Sequence, residues 1–262
     1  MTTLAASAKV ALVTGSTQGL GEAIARRLIA EGMIGGLVIC GRNAENGRRL
    51  AAELMEQDCR TEFVAADLSK VADCQRLIDT TRQSFGRLDY LVNSAATSER
   101  GGILDSSPEL FDRIVAINVR APFFLMQGAM KLMLAQESRG AIVNILSMSG
   151  HGGQPFLSPY SMSKGALATL TKNVAHSVLK DRIRVNGLNI GWMDSPGEDA
   201  IQKRFHDAPP DWLAKAEGAQ PLGRLIKPAE VAQVVAFLLS ERAGLMTGSI
   251  IDFDQQVLGT SS

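Results

Sequence analysis

The sequence predicts a single α/β domain, a doubly wound parallel sheet of about seven strands with helices on both faces. Short apolar runs alternate with segments of helical spacing, as in parallel strands joined by right-handed crossovers. Nearly every predicted strand is apolar along its whole length, which is expected where helices cover both faces of a sheet. We find no internal repeat, charge block or low-complexity tract. Residues 1–262 are therefore assigned to one domain, with residues 1–8 as a flexible N-terminus.

The first three predicted strands are each followed by a helix. The strands are KVALVTG, GGLVIC and TEFVAAD, and the helices are GLGEAIARRLIAEG, AENGRRLAAELMEQ and KVADCQRLIDTTRQSFG. In the first helix Leu20, Ile24 and Leu28 lie on one face, and Gly32 ends it.

The second half of the chain continues this alternation. The strand LDYLVNSAA precedes one long helix over residues 107–136, with Ser107 as its N-cap and Pro108 at its first position. The strand GAIVNILS precedes a helix over about 159–180. The strand IRVNGLNI leads into a polar excursion at about residues 194–223, rich in Pro and Gly, with short helices. The helix PAEVAQVVAFLLS and the strand GSIIDFD complete the sheet.

The composition excludes several classes of function. Lys plus Arg and Asp plus Glu balance at 27 each, so nothing indicates a nucleic-acid or membrane surface. Cys40, Cys59 and Cys74 lack metal-ligand spacing, which indicates reduced thiols, no bound metal and a cytoplasmic location. The N-terminus lacks the pattern of a signal peptide, and no apolar run reaches the roughly 18 residues of a membrane span.

The segment TGSTQGLG, residues 14–21, lies directly between the first strand and the first helix. Glycines at this position permit a tight turn and a close approach to a pyrophosphate, and the helix N-terminus offers free N–H groups. The spacing differs from that of a P-loop. The segment therefore predicts a Rossmann-like dinucleotide site that includes Gly15, Gly19, Leu20 and Gly21.

A second motif is SPYSMSKGAL, in which Tyr160 precedes Lys164 by four residues. Residues at this spacing lie on one face of a helix. A neighbouring ammonium favours the phenolate, so we expect Lys164 to lower the pKa of Tyr160. A tyrosine tuned in this way could transfer a proton near neutral pH. The alternative is a surface tyrosine beside a solvated lysine.

Several motifs occur in an order that resembles the short-chain dehydrogenase/reductase family, in its short form. They are TGSTQGLG, AADLS, LVNSAA, INV, VNILSMSG, YSMSK and RVNGLNIGWMDSP, and the resemblance extends from Lys9 to about Asp254. It implies the strand order 3-2-1-4-5-6-7. The chain departs from the usual family pattern at NSAA, NIG and DFDQ, but none of these departures removes a catalytic side chain.

The resemblance also implies the catalytic residues. Tyr160 and Lys164 match the family's tyrosine and lysine, and Ser147, thirteen residues before Tyr160, matches its serine. Ser149 is the nearby alternative. Asn118 matches the helix asparagine that holds a proton-relay water in the family.

The same resemblance implies the contacts to a nicotinamide dinucleotide. Gly15, Gly19 and Gly21 would hold the phosphates, while Tyr160 and Lys164 lie at the nicotinamide end, with Lys164 on the ribose hydroxyls. The other implied contacts are Asp67 at the adenine, Asn93 near the adenosine and Ser195 at the carboxamide. Alternatively, Asp67 caps a helix and Asn93 bonds the neighbouring strand.

Arg42 is the residue on which the expected choice between NADP and NAD depends. Many NAD-dependent members have an acidic residue after the second strand, where this chain has Gly41 followed by Arg42. An arginine suits a 2′-phosphate, so we expect NADP, with NAD as the alternative. The competing interpretation of Arg42 is a solvated loop residue.

The excursion suggests the kind of substrate. His151, Gln154 and Trp192 are the candidate substrate contacts, and the excursion is charged at Glu198, Asp199, Arg204 and His206. These residues favour a small polar molecule such as a sugar, polyol or hydroxy acid, unless the charges form a solvated helix face. A 3-oxoacyl-thioester reductase and a non-catalytic dinucleotide-binding regulatory protein remain as alternatives.

The composition of two long predicted helices indicates that the chain forms an oligomer. The segment AINVRAPFFLMQGAMKLML is apolar on nearly all sides, and the helix that carries Tyr160 is rich in small residues. Covering such faces by two-fold helix pairing predicts a homotetramer, the common assembly of the family.

Overall fold

The computed structural model describes residues 8–259 and contains one seven-stranded parallel sheet. Its order is β3-β2-β1-β4-β5-β6-β7, which confirms the expected topology. The strands are β1 (Val10–Val13), β2 (Gly36–Gly41), β3 (Arg60–Ala65), β4 (Tyr90–Asn93), β5 (Ala141–Ile145), β6 (Arg184–Ile190) and β7 (Ile250–Phe253).

Helices pack on both faces of the sheet, also as predicted. The described helices are α1 (Gly19–Ala30), α2 (Ala44–Met55), α3 (Val71–Phe85), α4 (Pro108–Val115), α5 (Ala121–Ala135), α6 (Ser158–Ser177), α7 (Pro196–Phe205), α8 (Trp212–Gly218) and α9 (Pro228–Leu239). One core contains side chains of α1, α2 and α9, and the other contains side chains of α3, α5 and α6. Ser107 caps α4 by accepting a hydrogen bond from the Leu110 N–H, as expected.

The helix predicted over residues 107–136 is not uniform, and this is a correction. A π-turn at Ala116–Arg120 separates α4 from α5, and the Ala121 N–H bonds to the Ala116 carbonyl, five residues earlier. Pro122 gives the physical reason: it has no N–H for the Asn118 carbonyl, and its ring crowds that oxygen in a regular α-helix. The turn widens at the position of Asn118.

The remaining predictions concern the N-terminus, membrane-spanning helices, metal sites and the cysteines. The predicted flexible N-terminus, residues 1–8, lies outside the described residues except for Ala8. Within residues 8–259 no helix is long and apolar enough to cross a membrane, and no cluster of His, Cys, Asp or Glu could hold a metal ion. The three cysteines are buried and free, and burial raises the pKa of the Cys40 thiol to about 12.

Candidate active site

A cavity of about 1130 Å³ opens at the carboxyl ends of the strands. In parallel α/β sheets this is the edge where ligands bind, because the turns after neighbouring strands meet there. Its wall includes the glycine loop, the ends of β2 and β3, the chain after β4 and β5, the first turns of α6, and α7. Gly15, Gly19, Leu20, Gly21, Arg42 and Asp67 line one part of the cavity, and Ser147, Tyr160 and Lys164 line another.

The glycine loop is shaped for a close ligand. Gly15 has a φ of +63°, and a Cβ there would lie 2.8 Å from the Ala95 Cα. A side chain at Gly21 would overlap the Gly15 carbonyl. Gln18 precedes α1 and its side chain makes no capping hydrogen bond, so this residue leaves the first N–H groups of α1 open to a ligand. This arrangement fits a dinucleotide pyrophosphate.

Arg42 and Asp67, which are expected at the adenosine end of the cofactor, differ in exposure and in hydrogen bonding. Arg42 is exposed and follows Gly41 at the rim of the cavity. Asp67 accepts hydrogen bonds from the N–H and hydroxyl of Ser69, which lower the pKa of its carboxyl. Asp67 therefore organises its own loop while lining the cavity.

Asn93 does not line the cavity. Its side chain is buried, and its Nδ2 donates to Asn144 Oδ1 on the neighbouring strand at 2.8 Å. Its own Oδ1 is buried without a hydrogen-bond partner among the described residues. Asn93 thus bonds the neighbouring strand, as the alternative for this residue predicted, and its place near the adenosine stays a prediction.

Ser147 and Tyr160 are brought together by the packing of α6 beside β5. Ser147 follows β5 in extended backbone, and its hydroxyl accepts a hydrogen bond from the Ser149 N–H at 3.1 Å. Ser147 also lies close enough to the Tyr160 phenol to lower its pKa. Ser149, the alternative to Ser147, donates its own hydroxyl to Gln154 Oε1 at 2.6 Å. The geometry therefore favours Ser147 as the partner of Tyr160.

Lys164 lines the cavity and is only 3% exposed. Its Nζ donates to the Ile145 carbonyl at 2.7 Å and lies 5.7 Å from the centre of the Tyr160 ring. Burial lowers the pKa of Lys164 to about 8. An ammonium in this position is shielded from water, which disfavours its charged form.

The expected direction of the Tyr160 pKa is wrong for the protein without ligands. Burial raises the pKa of the phenol, the neighbouring Ser147 hydroxyl lowers it in part, and Lys164 is not among the groups that shift it. The physical reason is that burial disfavours the phenolate more strongly than its polar neighbours favour it.

Asn118 is held at the π-turn by both ends of its amide. Its Oδ1 accepts from the Thr97 N–H, and its Nδ2 donates to the Thr97 carbonyl, each at 2.9 Å. The same Nδ2 lies 3.0 Å from Ser163 Oγ, which donates to the Tyr160 carbonyl at 2.6 Å. Asn118 thus connects the loop after β4 with the helix turn that carries Tyr160.

The expected substrate contacts line the cavity but have protein partners as well. His151 Nε2 lies 3.0 Å from Asn189 Nδ2 and 3.3 Å from Asp252 Oδ1, so it bonds side chains rather than the loop backbone. Trp192 donates to Glu198 Oε1 at 2.9 Å. Ser195 caps α7 by accepting from the Glu198 N–H and also lines the cavity.

Arg100 was missed by the sequence reasoning. It lies in the loop after β4, lines the cavity and contacts Glu198 on α7. The available signal was its position: it follows β4 by seven residues, near the strand ends where ligands bind.

Comparison with known proteins agrees with this site. A family model described as "Enoyl-(Acyl carrier protein) reductase" matches residues 15–255. Dehydrogenase/reductase SDR family member 4 of Bos taurus is 33% identical, over 93% of this chain and 85% of its own. The chain therefore belongs to the short-chain dehydrogenase/reductase family. It is an NAD(P)-dependent oxidoreductase that acts on alcohol or ketone groups.

Two solved structures resemble the whole fold. A variant of actinorhodin polyketide ketoreductase with NADPH superposes with a TM-score of 0.89 and 29% identity, over 97% of this chain and 98% of its own. An NAD⁺-bound xylitol dehydrogenase superposes with a TM-score of 0.86 and 28% identity, over 95% and 98%. The two structures contain different cofactors, NADPH in the first and NAD⁺ in the second.

Proposed function

We propose that the protein is an NADP(H)-dependent oxidoreductase that interconverts a ketone and a secondary alcohol on a small polar molecule. The observation that carries the proposal is the juxtaposition of Ser147, Tyr160 and Lys164 at one wall of a cavity whose other wall is the glycine loop. Hydroxyls at the first two positions can hold a carbonyl oxygen, while the third supplies a buried positive charge.

The chain's own residues account for the proton step. The bound cofactor supplies or accepts the hydride. Ser147 and Tyr160 donate hydrogen bonds to the substrate oxygen, and the Tyr160 hydroxyl delivers its proton as negative charge grows there. The raised pKa of Tyr160 keeps the hydroxyl protonated at neutral pH, as an acid requires. Lys164 places a buried ammonium 5.7 Å from the centre of the Tyr160 ring, and Asn118 keeps the turn with Tyr160 in position.

Arg42 supports NADP as the preferred cofactor. It follows the last residue of β2 at the cavity rim, where a 2′-phosphate would lie, and position 41 is glycine rather than an acidic residue. A guanidinium binds a phosphate through two parallel hydrogen bonds. NAD remains the alternative.

A turnover screen tests the proposal. NADPH and NADH are each combined with keto sugars, 2,3-butanedione, keto acids and a 3-oxoacyl thioester, and cofactor absorbance is followed. We expect NADPH to support turnover of the small polar ketones. Turnover of the thioester alone would support the acyl-thioester alternative. Cofactor binding without turnover of any ketone, or of the matching alcohols in reverse, would support the non-catalytic one.

A further inference from the structure

Arg100 and Glu198 face each other across the mouth of the cavity. Arg100 belongs to the loop after β4, and Glu198 belongs to the first turn of α7. The Arg100 Nη2 and Glu198 Oε1 atoms are 3.7 Å apart, and the two side chains are only 15% and 17% exposed. A mostly buried pair of opposite charges from separate elements therefore lines the same cavity as Tyr160.

Other contacts hold the Arg100 guanidinium in place. Its Nε donates to His206 Nε2, and its Nη1 donates to the Ser98 carbonyl, each at 3.1 Å. It also lies over the Phe156 ring, 5.7 Å from the ring centre. Because three groups orient the guanidinium, it meets a ligand with little further loss of side-chain freedom.

The Glu198 carboxylate is held from one side. Its Oε1 accepts from Trp192 Nε1 at 2.9 Å and from Gln202 Nε2 at 2.7 Å. Among the hydrogen bonds and ion pairs of residues 8–259, those of this carboxylate end on Oε1, which leaves Oε2 to accept from a ligand. The Nη2 of Arg100, at 3.7 Å from Oε1, is too far for a strong bond and can donate to the same ligand.

The pair lies within electrostatic reach of the catalytic phenol. After burial and the Ser147 hydroxyl, the next contributions to the pKa of Tyr160 come from Glu198, which raises it, and Arg100, which lowers it. Tyr160, Arg100 and Glu198 line the same cavity, so a substrate whose carbonyl contacts Tyr160 can reach both charged side chains with its neighbouring atoms.

The charges select among the substrate classes. An anionic hydroxy acid would be attracted by Arg100 but repelled by Glu198, so the two effects oppose each other. An apolar ketone would remove water from both charges without replacing its hydrogen bonds. A hydroxyl can donate to the carboxylate, and its neighbour can accept from the guanidinium.

We propose that Arg100 and Glu198 form a subsite for two adjacent hydroxyl groups of a neutral polyol or keto sugar. This inference rests on the proposed function and narrows its substrate to a neutral polyhydroxylated molecule. Arg100 and Glu198 are specificity-determining residues, and neither takes part in the transfer of the hydride or the proton.

Binding to a variant with the proton donor removed tests the subsite without requiring turnover. Tyr160→Phe, saturated with NADP⁺, is titrated calorimetrically with xylitol, cyclohexanol and lactate, as neutral polyol, apolar alcohol and anion. Glu198→Gln and Arg100→Met are then added singly. Glutamine keeps an acceptor for Trp192, and unchanged NADP⁺ affinity confirms that each variant is folded.

We expect xylitol to bind the parent more tightly than cyclohexanol or lactate. Each added substitution should weaken xylitol roughly 10- to 100-fold, as expected for a lost hydrogen bond to a charged group, and change cyclohexanol less than about twofold. Glu198→Gln should strengthen lactate binding, because Arg100 then lacks its counter-charge.

Three results would overturn the subsite: no measurable xylitol binding by the parent, xylitol affinity unchanged in both variants, or a parent that prefers lactate. Turnover of 2,3-butanedione by the unmodified enzyme is measured separately. Turnover without pair-dependent xylitol binding would reject the subsite and retain the proposed function. Pair-dependent binding without turnover of any ketone would reject the proposed reaction instead.

Discussion

The ammonium of Lys164 donates a 2.7 Å hydrogen bond to the carbonyl oxygen of Ile145, the last residue of β5. This bond joins α6 to the end of the sheet and holds a charged group where only 3% of the residue is exposed. A buried ammonium with one protein partner loses most of its hydration, and this loss lowers the pKa of Lys164 to about 8. The protonated lysine, which is the form that we expect to be active, therefore lowers the stability of the folded protein.

The first prediction concerns stability and pH. Lys164 has a folded-state pKa of about 8 and an unfolded value near 10.5, so between these values the unfolded chain binds more protons and stability rises with pH. Relative to Lys164→Met, the wild-type protein should gain about 3 kcal/mol in free energy of unfolding between pH 7 and pH 11. Urea unfolding of both proteins at the two pH values measures this difference. A constant difference would mean that Lys164 titrates at its ordinary pKa.

The second prediction concerns Tyr160. Tyr160→Phe should lose roughly 10²–10⁴-fold in turnover while keeping its affinity for the cofactor, because only the proton donor is removed. Tyr90 is the matched control, since its hydroxyl accepts from Lys9 outside the cavity. Tyr90→Phe should leave kcat near the wild-type value. Equal rates in the two variants would remove Tyr160 from the mechanism.

A third prediction concerns the two serines after β5. Ser147→Ala should lower kcat/KM strongly, because the substrate oxygen loses one of its two proposed donors. Ser149→Ala should have a much smaller effect, since the Ser149 hydroxyl is directed at Gln154. Steady-state kinetics of both variants distinguishes them. A larger loss in Ser149→Ala would reverse the assignment.

The cofactor preference is tested at Arg42. Arg42→Ala should weaken NADPH roughly 10- to 150-fold and leave NADH nearly unchanged, because one charged hydrogen-bonding partner of the 2′-phosphate is lost. Arg48 on α2 is an exposed control outside the cavity lining, and Arg48→Ala should change neither affinity. Fluorescence titration gives all four dissociation constants. A wild-type preference for NADH would contradict the proposal.

The last prediction concerns assembly. Phe111 on α4, Phe123 on α5 and Met162 on α6 are between 42% and 46% exposed in the single chain. Covering them by helix pairing favours a homotetramer, so light scattering should give a multiple of 28.0 kDa. Phe124 and Met130, which also lie on α5, are partly buried within the chain. Phe123→Asp is therefore expected to weaken the assembly more than a substitution at Phe124 or Met130. An active wild-type species at the mass of one chain would contradict the predicted homotetramer.

Local pattern accounts for what could be read from the sequence. Strand runs, helix spacing and the Ser107 cap depend on neighbouring residues, so they predicted the elements, and the ordered motifs predicted the strand order. The family resemblance implied Ser147, Tyr160 and Lys164, and the local pattern put them at a strand end and at an i, i+4 spacing.

Only the tertiary structure could decide which distant groups meet. Arg100 and Glu198 are nearly a hundred positions apart in the chain, and no periodicity links them. The Asn118 contacts to Thr97 and Ser163 likewise depend on how α6 packs beside the loop after β4.

The direction of the Tyr160 pKa illustrates the same division. The sequence shows a cation one helical turn away and so predicts a lowered pKa. The structure shows that burial outweighs the polar neighbours of the phenol and that the Lys164 ammonium is directed to the Ile145 carbonyl instead. Desolvation is a property of the whole packed environment, so the sequence determined which groups are present, and only the fold decided which of their effects is larger.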